Sequence, residues 1–340
     1  MVKAPKVLVL TKEDIVPLVT MEEAIAAVKE GFRAFNSGRA VVPFPIALEV
    51  PDGQGSVHIK PGHLEGTSSY TVKIASAFLD NPGHGLPSSH GMLLLFDSRT
   101  GFPLCFQVDR CYLTDLRTAA AGAVAAEVLA KQTLRKVAVL GTGTQARLQA
   151  EALGKVRQYE ELWVWGRDHA KAQVYAAEMS SRLEVEVLPA RTPEEAVRGS
   201  DVVVTATMST SPIVKAEWLS NGAHITAMGS DEPGKQELDT RILRRADKVV
   251  VDNLAQCARL GELHHALEDG SLEEDRVHAE LGEILLGVKG GRQSDREVTV
   301  CDLTGLAVQD VAVSQLVYEK AVRLGAGSYV EVSGPLGTEI

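Results

Sequence analysis

One stretch of the sequence decides the fold class: Val137-Ala138-Val139-Leu140-Gly141-Thr142-Gly143-Thr144-Gln145-Ala146. Its four apolar residues predict a buried strand, and the next six fit the pattern G-x-G-x-x-A that opens a helix. Gly141 permits a tight turn, Gly143 lets the backbone approach a pyrophosphate, and the helix N-terminus directs N–H groups at the phosphates. We predict a dinucleotide site, with a chance Gly-rich turn as the alternative, formed by Gly141, Thr142, Gly143, Thr144, Gln145 and Ala146.

Strands and helices alternate on the carboxyl side of this turn. A helix is predicted from His169 to about Arg182, and apolar runs predict strands at 162–165, 184–188, 201–206, 223–228 and 248–252. Such alternation is typical of a parallel, doubly wound sheet. Beyond Asp252 the pattern predicts helix to about residue 286, then a polar loop and a strand at 298–300.

The first 130 residues have a different pattern. A strand at 7–10 precedes a helix that begins at Thr20, where Glu23 completes a capping box, and that ends at Gly38. Further strands follow without long helices between them, which predicts an antiparallel or mixed sheet; they lie near 44–50, 56–60, 70–76, 91–96 and 102–108. An Ala-rich helix is predicted at 114–131.

The last predicted helix, 305–324, can return to this N-terminal part of the chain. The sequence therefore predicts an α/β protein in which one domain is inserted in another. A Rossmann-type doubly wound parallel sheet domain, 118–305, interrupts a mixed α+β domain made of 1–117 and 306–340.

The composition excludes several other classes of protein. Of 340 residues, 45 % are hydrophobic and 24 % are charged, which is typical of a globular chain rather than a disordered one. A net charge of −10 without a basic run argues against a nucleic-acid partner. Neither a span of ~18 apolar residues nor a secretory signal is visible, so we expect no membrane partner. The 4 cysteines form no CxxC pair, which indicates reduced thiols in a soluble, cytoplasmic protein.

The end of the second strand of the doubly wound sheet indicates which dinucleotide binds. NAD-binding folds usually place an acidic residue there to hold the ribose 2′-OH, but here Trp165 is followed by Gly166 and Arg167. The missing carboxylate and the adjacent guanidinium favour a 2′-phosphate. We therefore predict NADP(H) over NAD(H), with Arg167 in the cofactor site. The alternative is that Arg167 is merely solvated and Asp168 caps the next helix.

Two basic residues in apolar surroundings are candidates for binding a carboxylate. Lys73 lies within an apolar strand, and Arg117 lies at the start of the Ala-rich helix. Arginine pairs with carboxylates through two parallel hydrogen bonds, so Lys73 and Arg117 together could grip the carboxylate of an amino acid. A structural ion pair explains each residue equally well.

Asp231 is the candidate for proton transfer. It follows the strand at 223–228 in the loop Gly229-Ser230-Asp231-Glu232-Pro233-Gly234-Lys235. Ligands of doubly wound sheets lie beyond the carboxyl ends of the strands, where a carboxylate can donate or accept a proton. An Asx-turn or a helix cap is the alternative.

The histidines give weaker patterns. His58 and His63 surround a Pro-Gly turn, whereas His264 and His265 are adjacent on a predicted helix and should point in different directions. Neither pair has a zinc spacing, so we predict no metal site. The sequence also has no G-x-S-x-G elbow that would support a serine hydrolase.

Several segments form a set that is informative as a whole. They are Val72-Lys73-Ile74, Leu113-Thr114-Asp115-Leu116-Arg117-Thr118-Ala119-Ala120, the Gly141–Ala146 turn, Gly229-Ser230-Asp231-Glu232-Pro233-Gly234-Lys235-Gln236-Glu237-Leu238 and Asp302-Leu303-Thr304-Gly305-Leu306-Ala307-Val308-Gln309-Asp310. In this order they resemble the motifs of the ornithine cyclodeaminase/mu-crystallin family, and the resemblance spans nearly the whole chain.

The resemblance implies a Rossmann domain that binds NAD(H) or NADP(H) and a second domain that covers the substrate and forms a homodimer. It implies that Lys73 and Arg117 bind the substrate carboxylate, and that Asp231 handles the proton of the amine or imine with Lys235 in support. We also predict a catalytic role for Lys73. The shared motifs contain three further predicted cofactor contacts: Thr118, Gly229 and Gly305.

One departure from the family concerns the substrate. Many members carry an arginine after a proline before the first hairpin, but Val42-Pro43-Phe44-Pro45-Ile46 contains none. Lys60 stands where an apolar residue is usual and could supply the missing positive charge to the substrate. The departure weakens the case for ornithine as the substrate.

Three functions are compatible with these residues. The first is an NAD(P)H-dependent oxidoreductase acting on a C=N/CH–NH bond of a small α-imino or α-amino acid, as an imine reductase or an amino-acid dehydrogenase. The second is an ornithine-cyclodeaminase-type lyase that releases ammonia and keeps NAD bound. The third is a non-catalytic, crystallin-like nucleotide-binding protein, against which the joint presence of Lys73, Arg117 and Asp231 argues.

Overall fold

The computed structural model describes residues 6–51 and 55–331. The chain divides into two compact units, of which the outer unit comprises Met1–Arg117 and Leu306–Ile340 and the inserted unit comprises Thr118–Gly305. Within the described ranges, the helices are too short or too polar to cross a membrane.

The outer unit begins with a run of strands. They are β1 (Lys6–Thr11), β2 (Ala40–Val41), β3 (Ile46–Val50), β4 (Gly55–Leu64), β5 (Ser69–Phe78), β6 (Ser89–Asp97) and β7 (Pro103–Val108). Its helices are α1 (Lys12–Ile15), α2 (Met21–Asn36) and α3 (Tyr112–Leu129), the last of which continues into the inserted unit. Helix α2 begins with the predicted capping box, because Thr20 Oγ1 accepts the N–H of Glu23 and the Glu23 carboxylate accepts the N–H of Thr20.

The inserted unit alternates strands with helices. Its strands are β8 (Lys136–Leu140), β9 (Glu161–Trp165), β10 (Glu186–Pro189), β11 (Val202–Thr205), β12 (Thr210–Val214), β13 (His224–Ala227), β14 (Gln236–Leu238), β15 (Lys248–Val251), β16 (Val277–Glu280) and β17 (Thr299–Asp302). Its helices are α4 (Thr144–Val156), α5 (His169–Leu183), α6 (Pro193–Val197), α7 (Arg241–Arg245), α8 (Leu254–Leu260), α9 (Glu262–Glu268) and α10 (Leu281–Leu285).

Eight of these strands form one parallel sheet in the order β10-β9-β8-β11-β13-β17-β15-β16. The predicted Rossmann-type sheet is thereby confirmed. The chain order reverses between β8 and β11, which places a topological switch point at the carboxyl end of β8. Strands β8, β11 and β13 supply buried Val, Ile and Ala side chains to the core on the faces of the sheet.

One part of the sequence prediction was wrong. The segment from 253 to about 286 is not one helical region, because α8 and α9 are followed by the edge strand β16 and the short helix α10. Gly270, with φ of +71°, terminates the helical part. Val277–Glu280 then gains backbone hydrogen bonds from β15, a tertiary contact that local periodicity does not report. The small parallel pair of β12 and β14 was likewise not predicted.

The C-terminal segment returns to the outer unit as α11 (Ala307–Leu324) and β18 (Ser328–Glu331). The sheet of the outer unit has the order β18-β1-β7-β6-β5-β4-β2, with β3 also paired to β4. Its β1–β7 pair is parallel and its other pairs are antiparallel, so the predicted mixed sheet is confirmed. Helix α11 packs against this sheet closely at Gly62, where a Cβ would lie 2.9 Å from Val311 Cγ2.

Candidate functional site

The glycine turn after β8 has the geometry that its sequence predicts. Gly141 adopts a φ of +129°, and a Cβ there would lie 2.5 Å from the carbonyl oxygen of Ala206, so a side chain is excluded on both grounds. Gly143 precedes α4 and has no heavy atom within 4 Å of its Cβ position. The backbone is therefore open to a ligand at the N-terminus of a helix of 13 residues.

A cavity of about 490 Å³ lies against this turn. It is lined by Gly141, Thr142 and Gly143, by Gly166 and Arg167 after β9, and by residues 206–211 after β11. These residues follow three neighbouring strands of the parallel sheet, where doubly wound folds bind their ligands. The turn and the cavity fit the pyrophosphate of a dinucleotide.

The remaining predicted cofactor residues do not line this cavity. Thr144, Gln145 and Ala146 form the first turn of α4, and the carbonyl of buried Ala146 accepts the Tyr175 hydroxyl at 2.9 Å. The small side chain of Ala146 therefore allows α4 to pack closely beneath the glycine turn, and Ala146 is not exposed to the cavity.

Three other residues predicted to contact the cofactor have backbone atoms that form hydrogen bonds within the inserted unit. The carbonyl of Thr118 accepts from Gln149 at 3.0 Å. The N–H of Gly229 donates to Glu237 at 2.9 Å, and the N–H of Gly305 donates to Asp252 at 2.7 Å. Their cofactor roles stay predictions.

The residues after β9 explain why no acidic side chain holds a ribose hydroxyl there. A Cβ at Gly166 would lie 2.7 Å from Thr142 Cγ2, so a side chain at this position requires the Thr142 side chain to move. Asp168 caps α5, since its Oδ1 accepts the N–H groups of Ala170 and Lys171 at 3.0 and 3.4 Å. Asp168 is thus a helix cap, as the alternative interpretation of the sequence predicted. Arg167 is exposed and lines the cavity.

In the outer unit, Lys73 and Arg117 meet around one carboxylate. Lys73 Nζ lies 3.0 Å from Asp310 Oδ2 and 3.1 Å from Oδ1, and Arg117 Nε lies 3.0 Å from Oδ1. Strand β5 positions the lysine, the first half of α3 the arginine, and the first turn of α11 the aspartate. All three side chains are buried. We call this group the cation cluster.

Burial and charge set the protonation of the cation cluster. Burial, followed by the charge of Arg117, lowers the pKa of Lys73 to about 7 against the opposing attraction of Asp310. Burial alone would raise the pKa of Asp310, but Arg117 and Lys73 hold it below its ordinary value. The cluster thus contains an ionised carboxylate and a lysine that titrates near neutrality.

Lys60 belongs beside this cluster. In the antiparallel pair of β4 and β5 it lies directly opposite Lys73, so the two side chains emerge on the same face of the sheet. The charge of Lys60 lowers the pKa of both Lys73 and Asp310. The predicted set of Lys60, Lys73 and Arg117 is therefore brought together within the outer unit.

Asp231 lies in the loop after β13 and is half exposed. Its Oδ1 accepts a hydrogen bond from Lys235 Nζ at 2.7 Å, and the same ammonium lies 3.4 Å from Glu232 Oε1. Burial of Lys235 opposes its charge, but the two carboxylates raise its pKa. The resemblance implied this proximity of Lys235 to Asp231, and the carboxylate ends in an ion pair rather than in a helix cap.

The adjacent histidines on α9 differ from the expectation that they point apart. Ligand atoms of His264, His265 and Glu268 lie within 4.8 Å of one another. However, His265 Nε2 is hydrogen-bonded to the carbonyl of Lys235 at 2.7 Å, and His264 Nδ1 to the carbonyl of Ala258 at 3.2 Å. His265 thereby holds the loop that carries Lys235, whereas His264 bonds to α8.

Sequence reasoning assigned no role to two carboxylates that organise these sites. Asp310 ends the last family motif, and an acidic residue in the apolar run Ala307–Val313 is a signal of a buried partner. Glu237 is fully buried and accepts the N–H groups of Thr207 at 2.6 Å and Gly229 at 2.9 Å. It thereby ties together the loops that follow β11 and β13.

The parallel sheet, the glycine turn and the adjoining cavity define the class of Rossmann-type dinucleotide-binding proteins. A model of the ornithine cyclodeaminase/mu-crystallin family matches residues 6–324. The chain belongs to this family.

Individual relatives cover almost the whole chain. Alanine dehydrogenase of Archaeoglobus fulgidus is 42 % identical over 325 residues, which are 95 % of this chain and 98 % of the relative. A solved structure of Thermococcus litoralis Δ1-pyrroline-2-carboxylate reductase, in complex with NADH and L-proline, superposes with a TM-score of 0.91 at 34 % identity over 95 % of this chain and 100 % of that one. An archaeal alanine dehydrogenase dimer with bound NAD gives 0.90 at 40 % identity, over 96 % and 99 %.

Proposed function

We propose that the protein is an NAD(P)H-dependent oxidoreductase that acts on the C=N/CH–NH bond of a small α-imino or α-amino acid. The observation that carries this proposal is the cation cluster, in which two buried basic groups share one internal carboxylate. Buried positive charge that exceeds its internal partner favours an anionic ligand. The relatives named for alanine and for pyrroline-2-carboxylate support an amino or imino acid as that ligand.

In this proposal Lys73, Arg117 and Lys60 bind the substrate α-carboxylate. The guanidinium of Arg117 supplies a planar pair of donors, and the ammonium groups add charge without fixed direction. Binding the carboxylate fixes Cα in one orientation, which is the proximity contribution to the rate. A lysine whose pKa lies near 7 can also exchange a proton with the substrate, which supports a catalytic role for Lys73.

Asp231 handles the proton on the substrate nitrogen. An imine carbon is electrophilic when its nitrogen is protonated, so a carboxylate that stabilises the iminium promotes reduction. Lys235 orients Asp231 through its 2.7 Å hydrogen bond. A nicotinamide cofactor held at the glycine turn would supply the hydride chemistry, while Asp231 and Lys235 act on the proton of the nitrogen.

For the cofactor we propose a preference for NADP(H) over NAD(H). Gly166 leaves no acidic side chain after β9, Asp168 is used as a helix cap, and Arg167 lines the cavity. A guanidinium in that position favours a 2′-phosphate.

We further propose that the outer unit is the substrate-binding and dimerisation domain. Its β2–β3 region exposes Val41, Phe44, Ile46 and Leu48, an apolar surface on edge strands that is unusual for a monomer. The archaeal alanine dehydrogenase structure, described as a dimer, supports a homodimer here. Light scattering of the protein with and without Ile46→Lys tests this point, with a dimer expected for the unsubstituted chain.

The oxidoreductase proposal is tested by following nicotinamide absorbance with NADPH and NADH. The substrates for these reduced cofactors are Δ1-pyrroline-2-carboxylate and pyruvate with ammonium, whereas L-proline and L-alanine are tested with NADP⁺ and NAD⁺ in the oxidative direction. One nicotinamide oxidised per product of reduction, or one reduced per amino acid oxidised, supports the proposal. Ammonia release from L-ornithine with NAD in catalytic amount would instead identify a cyclodeaminase, and no turnover with any of these compounds would contradict the proposal.

A further inference from the structure

We propose that Asp310, assisted by Gln309, is a positioning residue that holds Lys73 and Arg117 in the geometry and charge state needed to bind the substrate carboxylate. The inference rests on the proposed function, because it takes these two cations as the carboxylate ligands. It adds a role for the first turn of α11, where Gln309 and Asp310 interrupt the apolar run Ala307–Val313.

The contacts of Asp310 reach both cations at once. Oδ1 lies 3.1 Å from Lys73 Nζ and 3.0 Å from Arg117 Nε, while Oδ2 lies 3.0 Å from the same ammonium. Gln309, the preceding residue, accepts from Arg117 Nη1 at 2.8 Å. Two consecutive residues of α11 therefore contact the guanidinium, Gln309 through a hydrogen bond to Nη1 and Asp310 through an ion pair at Nε.

These contacts use only part of the donor capacity of the cations. Lysine has three N–H donors and arginine five, so a second carboxylate can be bound by the remaining ones. Gln309 Nε2 is itself buried and has no hydrogen-bond partner among the residues the structure describes. This unpaired buried donor can donate a hydrogen bond to the carboxylate of an incoming ligand.

The charge of Asp310 also keeps the cations compatible with each other. Lys73 and Arg117 are both buried, and Lys60 adds a third positive charge from β4. Without a counterion, their mutual repulsion and burial would drive Lys73 to its neutral form. The position of Asp310 in the first turn of α11 further favours its negative charge through the helix dipole.

Other titratable groups near Asp310 are accounted for by their own contacts. Asp109, which precedes α3, accepts the N–H groups of Cys111 at 3.2 Å and Leu113 at 2.7 Å. Burial raises its pKa to about 6, and burial raises the pKa of the Cys111 thiol to about 12. Asp109 therefore accepts hydrogen bonds from the backbone at the start of α3, whereas Asp310 pairs with the two cations.

The decisive variant is Asp310→Asn, which preserves shape and removes charge. KM for the amino acid should begin to rise near pH 7 in the unsubstituted enzyme. In the variant we expect this onset to move at least ~1 pH unit lower, because Lys73 loses an opposite charge within hydrogen-bond distance. At pH 7 we expect a KM increase of about tenfold or more, with kcat changed much less. The probe is L-alanine or L-proline, whichever the unsubstituted enzyme oxidises with the higher kcat/KM.

Two further variants separate positioning from packing. Gln309→Met removes the neutral acceptor of Arg117, so KM should rise several-fold while the pH dependence stays in place. Gln315→Met, on the same helix, removes a contact with Ser69 outside the cation cluster and should leave KM and its pH dependence unchanged. Circular dichroism establishes that each variant is folded.

The outcomes are distinguishable. Asp310→Asn with an unchanged KM and pH dependence overturns the role of Asp310, even though the enzyme itself is active. If this variant does not fold, Gln309→Met decides: a raised KM with an unshifted pH dependence supports the proposal, and an unchanged KM overturns it. An unsubstituted protein that turns over no amino or imino acid contradicts the proposed function first, and the positioning role falls with it.

Discussion

Two lysine–aspartate pairs in this molecule have similar separations but different surroundings. Lys73 lies 3.0 Å from Asp310, with 3 % and 1 % of their side chains exposed. Lys235 lies 2.7 Å from Asp231, with 11 % and 48 % exposed. Burial lowers the pKa of Lys73 to about 7, while Lys235, which is also largely buried, keeps a raised pKa because the carboxylates of Asp231 and Glu232 face it.

The difference shows that the neighbours of an ion pair, rather than its length, decide what the pair can do. In the outer unit a second cation, Arg117, competes for Asp310, so positive charge is in excess and suits an anionic ligand. In the inserted unit a second carboxylate, Glu232, faces Lys235, so negative charge is in excess and suits a protonated nitrogen. The two ion pairs thus differ in the sign of the charge that exceeds the pair.

The largest effect is expected from Asp231→Asn. Loss of the carboxylate removes proton exchange with the substrate nitrogen, so kcat should fall by about 10²–10⁴-fold. The dissociation constant of the nucleotide, measured by nicotinamide fluorescence, should stay nearly the same. Glu232→Gln is the matched control, since it lies next in sequence and should lower kcat only slightly. A wild-type kcat for Asp231→Asn would remove the proposed proton role.

The next largest effect concerns stability and contrasts the two pairs directly. Arg117→Met breaks a buried charge network and should lower the free energy of unfolding by about 3–5 kcal/mol. Lys235→Met disrupts a pair whose carboxylate is half exposed and screened by solvent, so the loss should stay near about 1 kcal/mol or less. Urea unfolding followed by circular dichroism measures both. Equal losses would show that burial does not distinguish the two pairs.

The sequence predicted most of the fold because its main signals are local. The strand before Gly141, the positive φ of that glycine and the capping box at Thr20 each depend on residues that are close in the chain. By contrast, β16 and the β12–β14 pair owe their extended form to partners distant in sequence. Local periodicity carries no information about such partners, and these elements were among those that the prediction missed.

The candidate site was predictable in its residue types but not in its pairings. Lys73 and Arg117 stood out as charges in apolar surroundings, yet the sequence left ligand binding and a structural ion pair equally open. The structure contains an ion pair through Asp310, which lies 237 positions from Lys73. A contact over that separation depends on the return of α11 to the outer unit, which the sequence indicated only in outline.

A third test uses the pH dependence of the buried pair. Substrate carboxylate binding favours protonated Lys73, so it is strongest below the pKa of about 7 of the unliganded enzyme and weakens as pH rises through that value. KM should increase by up to about tenfold per pH unit above 7, until the higher pKa of the complex is passed.

Lys73→Arg provides the control for this pH dependence, because its guanidinium stays charged across the range. The rise of KM above pH 7 should then disappear, whatever the absolute activity of the variant. A rise that persists in Lys73→Arg would assign the titration to another group and would weaken the contrast between the two pairs.

The smallest expected effect concerns the cofactor. Arg167→Ala removes an exposed guanidinium from the cavity beside Gly166, and exposed charge pairs contribute little, so KM for NADPH should rise by no more than about tenfold. KM for NADH should change by less than about twofold, because NADH has no 2′-phosphate. Arg198→Ala is the matched control, since its side chain pairs with Glu194 at 2.6 Å and lies outside the residues lining the cavity. Equal effects of Arg167→Ala on both cofactors would remove the proposed preference for NADP(H). Positive charge would then select an anionic group at the cation cluster but not at the nucleotide.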